Sequence, residues 1–179
     1  MQGRGGQGVV IASQILARGF FLMGAYPQCY SLFGGERRGA PVTSFLRVDE
    51  KKIRLKCEIK RPDQIIFMAA DLIDEREIDV ILKPGGLMLI NTHHNTVDKF
   101  SSLRKFDLSF VDADSIGQQV GLGKTVNTAV LGAYCRVNSG LPLDCLEEAI
   151  RESVPSKVEA NIEAARRAYE VTQVFPPNE

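Results

Sequence analysis

The stretch GRGGQGVVIA, residues 3–12, carries the strongest structural signal in this sequence. Four glycines within six positions allow the backbone to reach positive φ and allow a ligand or another chain to come close. The apolar run at residues 9–12 follows at once and predicts a helix. A glycine turn that leads into a helix presents free N–H groups and the positive end of a helix dipole, which together favour an anion.

The glycine spacing also satisfies the G-x-G-x-x-G pattern of dinucleotide-binding domains. Such sites need an acidic residue about 20 residues after the glycines to hold the ribose hydroxyls. Gly8 is followed by no acidic residue until Glu36, which lies in a second glycine-rich segment. This absence argues against a nicotinamide site and favours another phosphate-bearing ligand or a close contact between subunits.

The composition is typical of a globular protein. The 179 residues suffice for one domain, which we expect to span residues 1–179. Apolar residues make up 44%, and 22 basic residues balance 22 acidic ones, which argues against a nucleic-acid partner. No apolar stretch is long enough for a membrane span, so a cytoplasmic protein without a membrane partner is expected. The four cysteines form no C-x-x-C pair, which argues against a cluster or zinc site on this chain alone.

Alternating apolar and amphipathic segments predict the order of elements. Helices are predicted at residues 9–23, 70–81, 113–120, 126–139, 143–153 and 157–174. Strands are predicted at residues 42–48, 53–57, 64–68, 87–90 and 108–111, with the first two joined as a hairpin after a loop at 26–41. This order predicts an α/β fold, a Rossmann-like three-layer sandwich with a mainly parallel sheet and a helical C-terminal third. No strand is recognisable before the glycine turn, so we expect the first strand to be missing.

A second cluster of glycines surrounds two arginines, Arg37 and Arg38, within the sequence GGERRG at residues 34–39. Guanidinium groups on a flexible tip are suited to phosphate or carboxylate groups, although an exposed loop with solvated charges would look the same. The GLGKT sequence at 121–125 lacks the first glycine of a P-loop and is predicted to be a turn between helices. His93 and His94 are predicted to be loop residues, and we expect neither a metal site nor a catalytic constellation.

Several short motifs, in order along the chain, resemble the gamma subunit of 2-oxoacid:ferredoxin oxidoreductases, most closely its pyruvate and 2-oxoisovalerate branch. The matching segments are GRGGQGV at 3–9, GERRGAPV at 35–42 with FLR at 45–47, PD at 62–63, GG at 85–86 before IN at 90–91, Asn127 with LGA at 131–133, and Asn161. The family has a strand before its glycine loop, and we recognise none in this sequence.

The resemblance implies a non-catalytic subunit with a Rossmann-like fold. Enzymes of this family decarboxylate a 2-oxoacid oxidatively on thiamine diphosphate, pass electrons through iron–sulfur clusters to ferredoxin, and transfer the acyl group to coenzyme A. Thiamine diphosphate and the clusters are expected on the partner alpha, beta and delta-type subunits, with no cofactor held by this chain alone. We hypothesise that Gly5, Gly6, Gln7 and Gly8 offer N–H groups to a pyrophosphate or a partner chain. Arg37 and Arg38 are assigned to anionic groups of coenzyme A or to an acidic partner surface.

Three alternatives remain open at this level. An indolepyruvate oxidoreductase small subunit would share the same domain type. A free-standing NAD(P)-binding oxidoreductase would bind a nicotinamide nucleotide without partners. An assembly module would use the glycines and arginines for protein contacts only.

Overall fold

The computed structural model describes residues 1–34, 39–93 and 97–178. Within them lie seven strands: β1 Gln2–Arg4, β2 Tyr26–Phe33, β3 Pro41–Asp49, β4 Gln64–Phe67, β5 Leu87–Asn91, β6 Asp107–Val111 and β7 Gln173–Phe175. The α-helices of the same residues are α1 Val9–Leu22, α2 Glu75–Ile81, α3 Ala113–Gln119, α4 Asn127–Val137, α5 Leu143–Ser153 and α6 Val158–Val171. Short 3-10 segments lie at Ala70–Leu72 and Val97–Leu103.

The strands form one sheet in the order β2-β3-β1-β4-β5-β6-β7. The four central strands, β1, β4, β5 and β6, run parallel, while β2, β3 and β7 are joined to the sheet by antiparallel pairing. The predicted parallel sheet is thus confirmed for the centre of the fold, and both edges are antiparallel. Because β1 is central, the turn that follows it opens at the carboxyl end of the parallel strands, where ligands bind in open α/β sheets.

Side chains of the central strands are buried on both faces, as expected for parallel strands covered by helices. Ile66 and Leu89 point into the larger cluster, which includes buried residues of α1, α4, α5 and α6. Phe67 and Met88 point into a smaller cluster on the opposite face with Ile78 of α2. The three-layer sandwich and the helical C-terminal third are therefore confirmed.

The first strand, which the sequence led us to expect to be missing, is present as the three residues Gln2–Arg4. It pairs with β3 on one side and with β4 on the other. Two of its three residues belong to the glycine motif itself, so the strand and the turn overlap. A strand this short gives no alternating pattern by which it can be recognised in the sequence.

The predicted hairpin has the wrong partner. Residues 53–57 form no strand, and β3 pairs instead with β2, which we had predicted to be a loop. The alternation of apolar and basic residues at 53–57 imitates a strand, but the adjacent edge of β3 is already occupied over eight residue pairs. The glycines at 34–39 led us to predict a loop over residues 26–41, and Pro27 does not prevent a strand, because proline is tolerated on an edge strand such as β2.

Two predicted helices are shorter than expected. Residues 70–81 divide into a 3-10 turn and α2, because Asp74 caps α2 by accepting hydrogen bonds from the backbone N–H groups of Arg76 and Glu77. The last helix ends at Val171, and β7 then adds to the edge of β6. No helix in the described part of the chain is both long and apolar enough to cross a membrane.

Candidate anion-binding site

The glycine turn between β1 and α1 adopts backbone conformations that suit glycine. Gly6 has φ 100° and Gly8 has φ 79°, both in the left-handed region. A side chain at Gly6 would meet nothing within 4 Å, so the backbone of this residue faces open space. Gly3 is glycine for another reason, because a Cβ there would lie 2.6 Å from Val9 Cγ2. The turn is thus tightly packed against its own helix and open on its outer side.

Gln7 braces the turn with its side chain. Its Oε1 accepts a hydrogen bond from the Arg4 backbone N–H at 2.7 Å, and its Nε2 donates to the Met68 carbonyl at 3.1 Å. The second bond ties the turn to the end of β4, the parallel neighbour of β1. The amide of Gln7 is therefore part of the scaffold, with its Oε1 and one of its two Nε2 hydrogens engaged.

Not all four N–H groups assigned from the sequence are available. The Gly5 N–H donates to the Ala40 carbonyl at 2.9 Å, and the Gln7 N–H donates to the Arg4 carbonyl at 3.0 Å. The N–H groups of Gly6 and Gly8 have no acceptor among the residues the structure describes. These two groups, together with the first turn of α1, remain as the donors of the predicted site.

The structure brings the two glycine-rich segments of the sequence together. A Cβ on Gly5 would lie 3.3 Å from the Gly39 nitrogen, and Arg4 Nη1 donates to the Gly39 carbonyl at 3.0 Å. Arg37 and Arg38 lie outside the described residues, but Gly39 follows them directly in the chain. The segment that carries both arginines therefore ends against the glycine turn.

The beginning of α4 meets the same turn. A Cβ on Gly8 would lie 2.9 Å from Asn127 Nδ2, so the two residues are in close contact. The Asn127 residue is 4% exposed, and its Oδ1 accepts from the Thr128 N–H, but its Nδ2 has no acceptor among the described residues. The Nδ2 atom is not among the fully buried side-chain atoms that lack a partner, so it is open to a ligand acceptor or to water beside the two helix N-termini. The sequence singled out Asn127 only as part of the family resemblance, not as a site residue.

Asp71 is a second residue that the sequence did not reveal. It follows β4, and its carboxylate forms an ion pair with Arg4, whose Nε donates to Asp71 Oδ2 at 3.1 Å. The hydrogen bond from Arg4 lowers the pKa of Asp71. Arg4 lies beside the glycine turn, but Asp71 matches its charge, so we do not assign it to an anionic ligand.

The topology explains why no acidic residue follows Gly8 at the dinucleotide spacing. In a dinucleotide-binding fold that residue ends the strand next to β1 and comes soon after it in the chain. Here the hairpin of β2 and β3 and the irregular residues 50–63 intervene, so the strand parallel to β1 begins only at Gln64. In the described residues, α1 is therefore not followed directly by a strand parallel to β1, as the dinucleotide pattern requires.

A polar cluster lies at the ends of β5 and β6. His93 Nδ1 and the carboxylates of Asp112 and Asp114 lie within 4.8 Å of one another, although no metal spacing was recognisable in the sequence. Buried Asn91 bridges the strands, since its Nδ2 donates to Asp114 Oδ2 at 2.8 Å and its Oδ1 accepts from the Ala113 N–H at 2.9 Å. These bonds account for the cluster as a cap on α3. His94 lies outside the described residues.

Asp112 begins α3 as its N-cap. Its carboxylate accepts from the Ser115 N–H at 2.9 Å and from the Ser115 hydroxyl at 2.7 Å, and it lies 3.1 Å from His93 Nδ1. Burial alone would raise the pKa of Asp112, but the hydrogen bonds from Ser115 and His93 outweigh it and lower the pKa. The GLGKT sequence that follows α3 connects it to α4 without a preceding strand, as predicted.

The cysteines do not form a cluster site in the part of the chain that the structure describes. Cys29 and Cys57 are exposed, Cys135 is buried, and no cysteine belongs to a group of three metal-ligating side chains among these residues. Burial raises the pKa of Cys135 to about 12, which keeps its thiol protonated. The residues present do not fit an iron–sulfur cluster.

Comparison with known proteins gives a consistent result. Residues 1–171 match the family described as pyruvate ferredoxin/flavodoxin oxidoreductase. The chain is 42% identical over 177 residues to the pyruvate/ketoisovalerate oxidoreductases common subunit gamma of Pyrococcus furiosus, covering 97% of this chain and 95% of that protein. It is 38% identical over 168 residues to the pyruvate synthase subunit PorC of Methanocaldococcus jannaschii, covering 93% of this chain and 92% of that one.

Solved structures show the same fold. The pyruvate oxidoreductase subunit PORC of Thermotoga maritima superposes with a TM-score of 0.82 at 29% identity, covering 97% of this chain and 94% of that chain. This chain also superposes on a 2-oxoglutarate:ferredoxin oxidoreductase of Magnetococcus marinus, with a TM-score of 0.75 at 15% identity. The match covers 94% of this chain and 29% of that chain, which was solved with 2-oxoglutarate, coenzyme A and succinyl-CoA bound. The chain belongs to the pyruvate ferredoxin/flavodoxin oxidoreductase family, as a subunit of the gamma, or PorC, type.

Proposed function

We propose that the chain serves a multi-subunit enzyme that converts pyruvate or a related 2-oxoacid to acyl-CoA, and that its own part is to bind coenzyme A at the glycine turn. Relatives named for pyruvate and ketoisovalerate oxidoreductases and for pyruvate synthase support the substrate class. The main support for the site is the contact between Gly8 and Asn127. Asn127 is largely buried, and its amide donor has no acceptor among the described residues and lies beside the first turn of α1.

The chemistry of coenzyme A fits these donors. Its pyrophosphate and 3′-phosphate are anions, and helix N-termini with glycine-rich turns bind phosphate through backbone N–H groups. Gly6 and Gly8 supply two N–H groups, and Asn127 Nδ2 supplies a third donor beside them. Arg37 and Arg38 directly precede Gly39 in the sequence, and we assign their guanidinium groups to the same anion.

The rest of the reaction belongs to partner subunits in this proposal. Thiamine diphosphate, when bound, supplies the carbanion chemistry that releases carbon dioxide from the 2-oxoacid, and iron–sulfur clusters take up the two electrons for ferredoxin. We assign both to alpha, beta and delta-type partners, because the cysteines of this chain do not fit a cluster. The chain itself holds and orients the acyl acceptor and is expected to be inactive without its partners, in the cytoplasm.

The test is the dependence of the assembled enzyme on coenzyme A. Gly6→Ala places a methyl group on the open side of the turn, where no protein atom lies within 4 Å. Gly85→Ala is the matched control, because Gly85 also has positive φ, at 71°, and open space at its Cβ position, but it precedes β5 at the opposite end of the sheet. Both variants place alanine at positive φ, although Gly6 at 100° lies further than Gly85 from the left-handed region that alanine tolerates, so the folded stability of both variants is measured alongside.

We expect Gly6→Ala to raise the KM for coenzyme A by about tenfold, while the KM for the 2-oxoacid stays the same and Gly85→Ala changes neither. The double variant Arg37→Ala with Arg38→Ala should raise the same KM for coenzyme A. An unchanged coenzyme A requirement in intact complexes of these variants would favour the assembly-module alternative and overturn the proposed site.

A further inference from the structure

A positively charged segment crosses the side of the sheet away from the candidate site. Residues 51–61, called here the basic strap, have the sequence KKIRLKCEIKR, with six cationic side chains and one acidic one, and so a net charge of +5. The whole chain has a net charge of zero, so this concentration is local. All six cationic residues are exposed, and none forms an ion pair with a residue in the described part of the chain.

The basic strap is held in place through its backbone. Gln28 Nε2 donates to the Leu55 carbonyl at 2.9 Å, Arg47 Nη2 donates to the Cys57 carbonyl at 2.6 Å, and the Ile59 N–H donates to Tyr30 Oη at 3.1 Å. These bonds fix the path of the strap across β2 and β3 and leave its lysine and arginine side chains free. A solvated loop needs no such anchors, so the charges are presented in a defined arrangement.

Apolar side chains lie beside these charges. Leu55 is 61% exposed in the middle of the strap, and Leu32, on the same face of β2 as Gln28 and Tyr30, is 49% exposed. Both line a cavity of about 1180 Å³ between the strap and the sheet. An apolar centre surrounded by charged residues is the usual composition of a protein–protein interface.

The neighbouring strand β2 has little protection of its own apart from Pro27. β2 is an edge strand of eight residues without a single charged side chain, and its outer backbone pairs with no strand among the described residues. Soluble proteins normally protect such edges with lysine, short length or a covering segment. The other edge strand, β7, has only three residues. The side of the molecule formed by β2 and the basic strap is therefore built to be covered.

We propose that the basic strap, with Leu55 and the neighbouring Leu32, docks an acidic surface on another polypeptide of the same oxidoreductase complex. Charge complementarity selects the partner surface and speeds its approach, while the apolar side chains are buried on contact. A protein is favoured over a nucleic acid because the charge outside the strap is negative in sum and the strap encloses exposed apolar side chains. The proposal rests on family membership and is independent of the coenzyme A site.

The experiment measures association of the purified full chain with the rest of its complex, produced without this subunit, by biolayer interferometry. Lys52→Glu with Lys56→Glu reverses two charges of the strap. Arg76→Glu with Arg151→Glu is the matched control, since it reverses two exposed arginines on α2 and α5 and so gives the same net charge. At low salt, we expect the strap variant to bind at least about tenfold more weakly than the wild type, and the control to bind within about twofold of it. At high salt, the difference in affinity between the strap variant and the wild type should shrink.

A second measurement uses the wild-type chain and needs no variant to fold. The exposed thiol of Cys57 lies within the strap, so its alkylation by iodoacetamide should slow when the complex assembles. Wild-type affinity in the strap variant, equal weakening in the control, or unchanged alkylation of Cys57 would each overturn the proposal. Retained assembly with lost binding to single-stranded RNA or to anionic vesicles would likewise overturn it and assign the strap to that partner.

Discussion

The contact between α4 and α6 offers the sharpest test of the packing. Gly132 lies in α4 at the point where the two helices touch, and a Cβ there would stand 2.0 Å from the Ala165 carbonyl oxygen and 2.5 Å from its carbonyl carbon. Favourable contacts between such atoms begin near about 3.5 Å. Gly132→Ala therefore forces the helices apart by about 1 Å or more, because the obstacle is backbone that no rotamer change can remove.

The size of the effect follows from two opposing terms. Overpacking a core costs about 1–3 kcal/mol, and an obstacle made of backbone places this site at the upper end of that range. Alanine is better than glycine inside a helix by about 1 kcal/mol, which offsets part of the cost. We expect the free energy of unfolding to fall by about 2 kcal/mol, which lowers the Tm by about 4–8 °C for a chain of this length.

Thermal unfolding followed by circular dichroism measures this change. Gly19→Ala is the control, because Gly19 also lies inside a helix, α1, and gains the same helix propensity. Its Cβ would stand 3.2 Å from Leu141 Cδ1, at the end of a side chain that can move. The control should be as stable as the wild type or slightly more stable. A Tm for Gly132→Ala equal to that of the wild type, or an equal loss in both variants, would refute the packing argument.

Two further predictions concern α3 and the buried thiol. Asp112→Ala removes the N-cap of α3 and should lower the free energy of unfolding by about 1 kcal/mol at pH 7. The pKa of Asp112 is lowered in the folded state, so the stabilisation that its carboxylate gives is present above its ordinary pKa and is lost as the pH falls through the folded pKa. The difference in unfolding free energy between wild type and variant, measured with urea, should therefore vanish in acid. A difference independent of pH would contradict this. At pH 8, iodoacetamide should label Cys57 of the folded chain but not the buried Cys135, as measured by mass spectrometry. Equal labelling of both cysteines would contradict the burial of Cys135.

The sequence predicted those parts of the fold that depend on local pattern. α1, α5 and the buried strands β4, β5 and β6 lie within one or two residues of the predicted bounds, because each is a continuous run whose apolar spacing matches one element. The hairpin was wrong for a physical reason, since residues 53–57 alternate like a strand but lose the edge of β3 to residues 26–33. Strand pairing is a competition between distant segments, and neither segment alone reveals which one succeeds.

The sequence by itself determined the α/β class, the glycine turn before α1 and, through the order of its motifs, the family. These features are written in neighbouring residues, where backbone preference and apolar spacing act directly. Only the tertiary structure decided that β1 exists, that Gly39 returns to Gly5, that Asn127 meets Gly8 and that the basic strap crosses β2. Each of these features depends on contacts between residues far apart in the chain. Sheet order and helix packing determine those contacts, and the local sequence pattern does not reveal them.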